Sequence, residues 1–192
     1  MHYFSRASLL GAAVFALSLS SGIVANSFAK EMSIEVGGAA MYPSKNIIQN
    51  AVNSKDHTTL VAAVKAAGLV KTLEGKGPFT VFAPTNEAFE KLPDGTVATL
   101  LKPENKTQLT DVLTYHVVAG DYSAAKLAKN AKANGGKLDL KTVEGEHITV
   151  EGDNMGGWWV VDGKGHRAKI TIADVNQSNG VIHVIDGVLL PN

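Results

Sequence analysis

Residues 77–93 read GPFTVFAPTNEAFEKLP, and the order of residue types in this stretch decides the fold. Phe79 to Phe82 is aromatic and β-branched and is bounded by Gly77-Pro78 and Pro84, the composition of a buried strand. Pro84 has no amide to give to a ladder and biases Ala83 toward an extended shape, so the strand stops there. Thr85 then stands where a helix cap is needed, its hydroxyl able to accept the free amide of Glu87 or Ala88. Pro84 before the cap and Phe89 at the fourth helical position have the spacing of a hydrophobic staple, and Glu87 lies in the first turn, where the helix dipole favours a carboxylate. A phosphate cradle would need glycines and a lysine inside the turn, and a nucleophilic threonine would need a base beside it. Neither is present, so the stretch is an architectural corner.

The chain around it has 192 residues with 18 basic and 18 acidic side chains and no cysteine. Arg6, the apolar run Leu9 to Leu19 and Ser27-Phe28-Ala29 have the form of a secretory signal peptide over residues 1–29. Its removal takes away one basic residue and no acidic one, leaving 17 against 18, a net charge of −1. Such a balance offers no electrostatic basis for binding nucleic acid. Without cysteine there is no disulfide, thiolate nucleophile or lipidated thiol. The ending GVLLPN has no hydrophobic tail, so no membrane anchor is expected. The chain is expected to be secreted or periplasmic and a monomer, with one domain large enough to fold unaided.

Residues 30–45 read as an N-terminal leader segment, with Gly37-Gly38, Pro43 and little apolar periodicity. From residue 46 to 192 the chain reads as one domain. NIIQNAVN predicts a helix with Ser44 as its cap, and DHTTLVAAVKAAG a second that stops at Gly68. Pro103 opens a third segment, in which Leu109, Val112, Leu113 and His116 recur at three- and four-residue spacing. Ser123 caps a short helix through Leu127. Beyond Gly135 the period shifts to that of strands: KLDLKTV and HITVEG around a Glu144-Gly145 turn, then WWVV, AKITIAD, GVIHVID and GVLLP. Helices followed by a run of strands indicate an α+β domain rather than a doubly wound sheet.

FTVFAPTNEAFEKLP resembles the first signature stretch of the fasciclin domain family, TYHVVAG (114–120) its Tyr-His element, and ITIADVNQSNGVIHVIDGVLLP (170–191) its second signature stretch. The three occur in the family's order and at its separations. The likeness is greatest to single-domain, secreted bacterial members. The resemblance implies a wedge-shaped β-sandwich of short strands covered by several helices. It also implies a non-catalytic interaction module for cell adhesion, its partner a cell-surface or matrix protein or glycan. In animal members, integrin recognition is attributed to the Tyr-His element and to an Asp-Ile pair ahead of the second signature. By that likeness Tyr115, His116, Asp174 and Val175 are the expected partner-binding residues, with valine standing where the animal pair has isoleucine. Some algal relatives bind carotenoids, so an alternative function is carriage of a small hydrophobic ligand such as a carotenoid or lipid.

The residues themselves leave alternatives open. Tyr115 and His116 stand where a helix hands over to a strand, as packed and hydrogen-bonded groups or as a ridge for a partner. His183 alternates with Val181 and Ile185 and shares their sheet face. Asp174, Ser178 and His183 lack the strained turn and oxyanion donors of a hydrolytic triad. The histidines after residue 29 (His57, His116, His147, His166 and His183) show no close ligand pairing, so no metal and no cofactor is expected. Trp158 and Trp159, adjacent on a strand, face opposite ways. With Met155 they form a candidate apolar contact or, equally, a rim over loop backbone.

Overall fold

A computed structural model describes residues 32–153 and 156–192; residues 1–29, expected to be a signal peptide, and Met155 lie outside the described residues. A hairpin of β1 (Ile34–Val36) and β2 (Ala39–Met41) comes first. The helical half follows with α1 (Ile47–Ala51), α2 (Thr58–Ala67) and α3 (Val70–Leu73), then β3 (Phe79–Pro84), α4 (Asn86–Glu90), α5 (Thr96–Leu100), α6 (Lys106–Tyr115) and β4 (Val117–Ala119). After α7 (Ala124–Ala133) come β5 (Lys137–Lys141), β6 (His147–Gly152), β7 (Trp158–Val161), β8 (Arg167–Gln177) and β9 (Gly180–Ile185).

The corner forms as its residues require. Thr85 is extended, and its Oγ1 accepts the Ala88 amide at 3.2 Å. The strand before it runs two residues further than Phe79–Phe82, because Pro84 still pairs in register with Ile185. Gly68 ends α2 in the left-handed region at φ 77°, with its amide on the Lys65 and Val64 carbonyls, a conformation in which glycine carries no Cβ penalty. Pro103 opens a 3-10 turn ahead of α6. The cap of α1 is Asn46, not Ser44: Asn46 Oδ1 accepts the Gln49 amide at 2.8 Å, and Gln49 Oε1 accepts the Asn46 amide at 3.0 Å. An amide side chain one residue from the helix closes this reciprocal box, which a serine two residues earlier does not. Helix α7 runs past Leu127 to Ala133. Ser123 caps it, and Leu127 and Ala131, four residues apart, are both buried.

Seven strands form one sheet in the order β4-β3-β9-β8-β7-β6-β5, with β3 and β9 parallel and the other pairs antiparallel. β8 passes through two register shifts, between Ile170 and Ile172 and between Ile172 and Val175; such irregularities bend a strand. The sheet meets itself where Val118 bridges Thr142 and the Val143 amide donates to the Val117 carbonyl at 2.7 Å. Every one of its strands sends a residue into the inner core: Phe82, Val118, Leu140, Ile148 and Val150, Val160, Ala168 and Ile185. The domain is therefore a sandwich of short strands in an α+β chain, as expected.

Alternation along β3 and β9 divides the interior. Val81 and Ala83, with Ile182 and Val184, face an outer core built from α1 to α6 and the β1–β2 hairpin, whereas Phe82 and Ile185 face the inner one. Each fully buried aliphatic or aromatic side chain contributes about 1.5–3 kcal/mol. GVLLP is not a strand. The Leu189 amide donates to His116 Nε2 and the Leu190 amide to Asp162 Oδ2, both at 3.0 Å. Side chains thus take the donors that a ladder would need.

Candidate functional site

Tyr115 closes α6 and is completely buried. Its hydroxyl donates to the His147 carbonyl and accepts the Gly163 amide, both at 2.9 Å. Burial raises its pKa. His116 follows, 2% exposed. Its Nδ1 lies 2.8 Å from the Val112 carbonyl and its Nε2 accepts the Leu189 amide. A carbonyl can only accept and an amide can only donate, so the ring carries its proton on Nδ1 and is neutral. Burial in an apolar setting agrees, pushing the pKa down to about 4. One helix end thereby fastens the start of β6, the turn at Gly163 and the C-terminal segment.

Asp174 lies on β8 beside a register shift, at φ 57°. Aspartate is one of the few residues besides glycine that tolerates this region. Its Oδ1 accepts the Ala124 amide at 2.6 Å at the start of α7, and its own amide donates to His183 Nδ1 at 3.3 Å. His183 Nε2 in turn donates to the Tyr122 carbonyl at 2.8 Å, and the ring stacks on Phe82 with centroids 5.7 Å apart. Burial is the main cause of its lowered pKa. Both ring nitrogens are engaged, leaving none to take a proton from a serine. Val175 is 1% exposed and belongs to the outer core. Of the four expected partner-binding residues, Tyr115, His116 and Val175 are thus interior, while Asp174 is partly exposed and caps a helix.

The tryptophans do face opposite ways. Trp158 packs on the inner core. Trp159 has the Arg167 guanidinium 4.9 Å from its ring centroid and donates its indole N–H to Asp153 Oδ2 at 3.3 Å. Arg167 also pairs with Glu151 at 2.8 Å, so the outer indole face sits within a charged cluster.

Two polar centres lay beyond the reach of sequence reasoning. Asp162, 6% exposed, accepts the amides of Lys164, His166 and Leu190 and faces His166 Nδ1 at 2.9 Å. Asn179 accepts the Ile47 amide at 3.0 Å and donates to the Leu73 and Gly75 carbonyls at 2.8 and 3.0 Å, fastening α1 and α3 to the strand pair. The turn signals around Asp162-Gly163 and Asn179-Gly180 hint at neither role, since the partners that make them tertiary fastenings, Leu190 for Asp162 and Ile47, Leu73 and Gly75 for Asn179, are 28 to 132 residues away. Among the described residues, no group of acidic and histidine side chains has the arrangement of a metal site, and no helix is long and apolar enough to cross a membrane.

The fasciclin domain model matches residues 55–191. Protein sll1483 of Synechocystis is 45% identical over 179 residues, covering 92% of this chain and 91% of its own. The transforming growth factor-beta-induced protein ig-h3 of Sus scrofa is 40% identical over 149 residues, 77% of this chain and 20% of that protein. In fold, the chain is similar to a FAS1 domain pair from the insect cell adhesion molecule Fasciclin I, with a TM-score of 0.69, 16% identity, and coverage of 84% of this chain and 58% of that one. Family model, relatives and fold agree, and the chain belongs to the fasciclin domain family.

Proposed function

We propose that this protein is an exported, non-catalytic interaction module that attaches to a cell-surface or matrix protein or glycan. The observation that carries the reading is the family match across residues 55–191, joined to a fold neighbour described as a cell adhesion molecule. The arrangement of polar groups supports it. Tyr115, His116, Asp174 and His183 spend their hydrogen bonds on backbone atoms of their own chain, which suits holding surface loops in shape better than turning over a substrate.

In this reading the Tyr-His element and Asp174-Val175 serve partner binding as positioning residues. Tyr115 and His116 hold the loops at His147 and Gly163 and the C-terminal segment, while Asp174 and His183 hold the Tyr122–Ala124 loop ahead of α7. The exposed parts of those loops make the contact. The test is deletion of the gene, with attachment to surfaces or biofilm scored beside crosslinking of the native protein. Reduced attachment, restored by the intact gene, with a recovered surface partner is expected. Unchanged attachment with no crosslinked partner contradicts the reading.

A further inference from the structure

The dipeptide Asn-Gly occurs twice, at Asn134-Gly135 and Asn179-Gly180, and the fold gives the two copies opposite surroundings. Three hydrogen bonds fasten the Asn179 side chain: Oδ1 accepts the Ile47 amide at 3.0 Å, and Nδ2 donates to the Leu73 and Gly75 carbonyls at 2.8 and 3.0 Å. Its own carbonyl accepts the Phe79 amide at 3.0 Å. The glycine beside it is walled in by backbone, since a Cβ at Gly180 would stand 2.0 Å from the Phe79 carbonyl oxygen. Asn134, by contrast, is exposed at the C-terminal cap of α7. Among the described residues one hydrogen bond holds its side chain, from Nδ2 to the Asn130 carbonyl at 2.8 Å. A Cβ at Gly135 would meet nothing within 4 Å. The Asn134 and Gly136 amides both donate to the Ala131 carbonyl, at 2.9 and 2.8 Å, while the Gly135 amide between them has no acceptor among the described residues.

An asparagine side chain before glycine is open to attack by the next backbone nitrogen, because glycine has no Cβ to obstruct ring closure and turns freely. The nitrogen bonds to Cγ, its proton leaves with the side-chain nitrogen as ammonia, and a succinimide ring results. Water then opens the ring at either carbonyl. One opening leaves aspartate; the other leaves isoaspartate, with the main chain rerouted through the side-chain carbon. Ring closure needs a side chain free to swing and a backbone free to turn. Asn134 sits at ψ 37° in the last turn of a helix, a place that frays readily. Asn179 must first lose three hydrogen bonds and leave the β8–β9 pair. We propose that Asn134 is a site of spontaneous deamidation in the folded protein and that Asn179 is protected from it. The product places a carboxylate at the C-terminal end of α7, where the helix dipole disfavours negative charge, and it removes the Nδ2 donor to Asn130. Deamidation therefore loosens the last turn of α7. The site lies at the opposite end of that helix from the Tyr122–Ala124 loop and is independent of surface attachment.

The test incubates the full chain in mildly alkaline buffer, native and in urea, and follows the peptides containing Asn134 and Asn179 by mass spectrometry. Deamidation is read as the mass gained when the amide becomes a carboxylate, and isoaspartate as methyl groups accepted from labelled S-adenosylmethionine in the presence of an isoaspartyl methyltransferase. With three hydrogen bonds against one, native Asn134 should convert about thirtyfold faster than Asn179, with isoaspartate among the products. In urea both dipeptides are unfolded, so the two rates should converge. Asn134→Asp carries the charge of one product and should speed hydrogen exchange of the Gly136 amide about two- to fivefold, with the amides of β5 and β6 unchanged. Native Asn134 left intact while the urea sample converts, equal native rates at the two positions, or earlier conversion of Asn179 overturns the proposal. An unmoved Gly136 amide in N134D overturns the loosening of α7.

Discussion

The two cores of this domain are finished to different degrees. In the inner one, strands held in register on both sides bury Phe82, Tyr115, Ile148, Val150, Val160 and Ile185 completely, and the polar groups that fasten it (Tyr115, Asp162 and His183) are each hydrogen-bonded. The outer one is covered by short helices. α1, α3, α4 and α5 have five residues or fewer, and beneath this layer lie a void and a buried His57 ring nitrogen without a hydrogen-bond partner. A ladder fixes side chains on a two-residue repeat and leaves little room to adjust. A single helical turn is only marginally stable alone and depends on its packing. The sheet is thus the rigid body of the molecule, and the helical layer is the part that can adapt.

Truncations of equal size should separate the two most clearly. Ile148→Ala opens a hole among residues that cannot collapse and is expected to cost about 4 kcal/mol, whereas Leu60→Ala, beside an existing void, should cost about 2 kcal/mol. Urea midpoints at unchanged slope measure both, and equal losses would break the comparison.

Acid should come next. His116 is neutral when folded, with its pKa held near 4, against 6.5 when unfolded. The unfolded chain therefore binds the extra proton between those values, and stability present above pH 6.5 is lost as pH falls toward 4. The full loss from this residue is about 3 kcal/mol. His57 and His183, also lowered by burial, act in the same direction below pH 6.5. Urea unfolding at pH 7.5 and 4.5 measures the slope, and His116→Gln should flatten it.

Smaller effects sharpen the picture. Tyr115→Phe strips the partner from the Gly163 amide and the His147 carbonyl and should cost about 2 kcal/mol by thermal or urea unfolding. Thr85→Ala removes one cap on the helical side and should cost about 1 kcal/mol. A larger loss from Thr85 than from Tyr115 would place the critical fastening on the wrong side.

What the sequence made legible follows the same division. The Pro84-Thr85 corner, the Gly68 stop and the alternation of Val181, His183 and Ile185 are local patterns, and each forms as read. The tryptophans' opposite facing follows from the pleat. The β1–β2 hairpin was not legible, because three-residue strands carry too little alternation to register. Its Val36 and Met41 are buried by tertiary packing in the outer core, where β2 lies against α1 and β8. The full length of α7 was hidden by its lysines and alanines, since only Leu127 and Ala131 face inward. GVLLP has the composition of a strand, but its amides are taken by His116 and Asp162, far away in sequence. For the candidate site, burial of Tyr115 and His116 could be read as an option, while their partners at His147, Gly163 and Leu189 could not.

Amide hydrogen exchange under native conditions tests the central claim, a closed sheet core beneath an adaptable helical layer. Amides of Phe82, Ile148, Val160 and Ile185 should exchange only through global unfolding, with one common free energy that tracks denaturant. Those of α1 and α2 around the cavity should exchange through smaller openings that leave the sheet intact. Helical amides as protected as the sheet, or sheet amides that exchange first, would contradict the account.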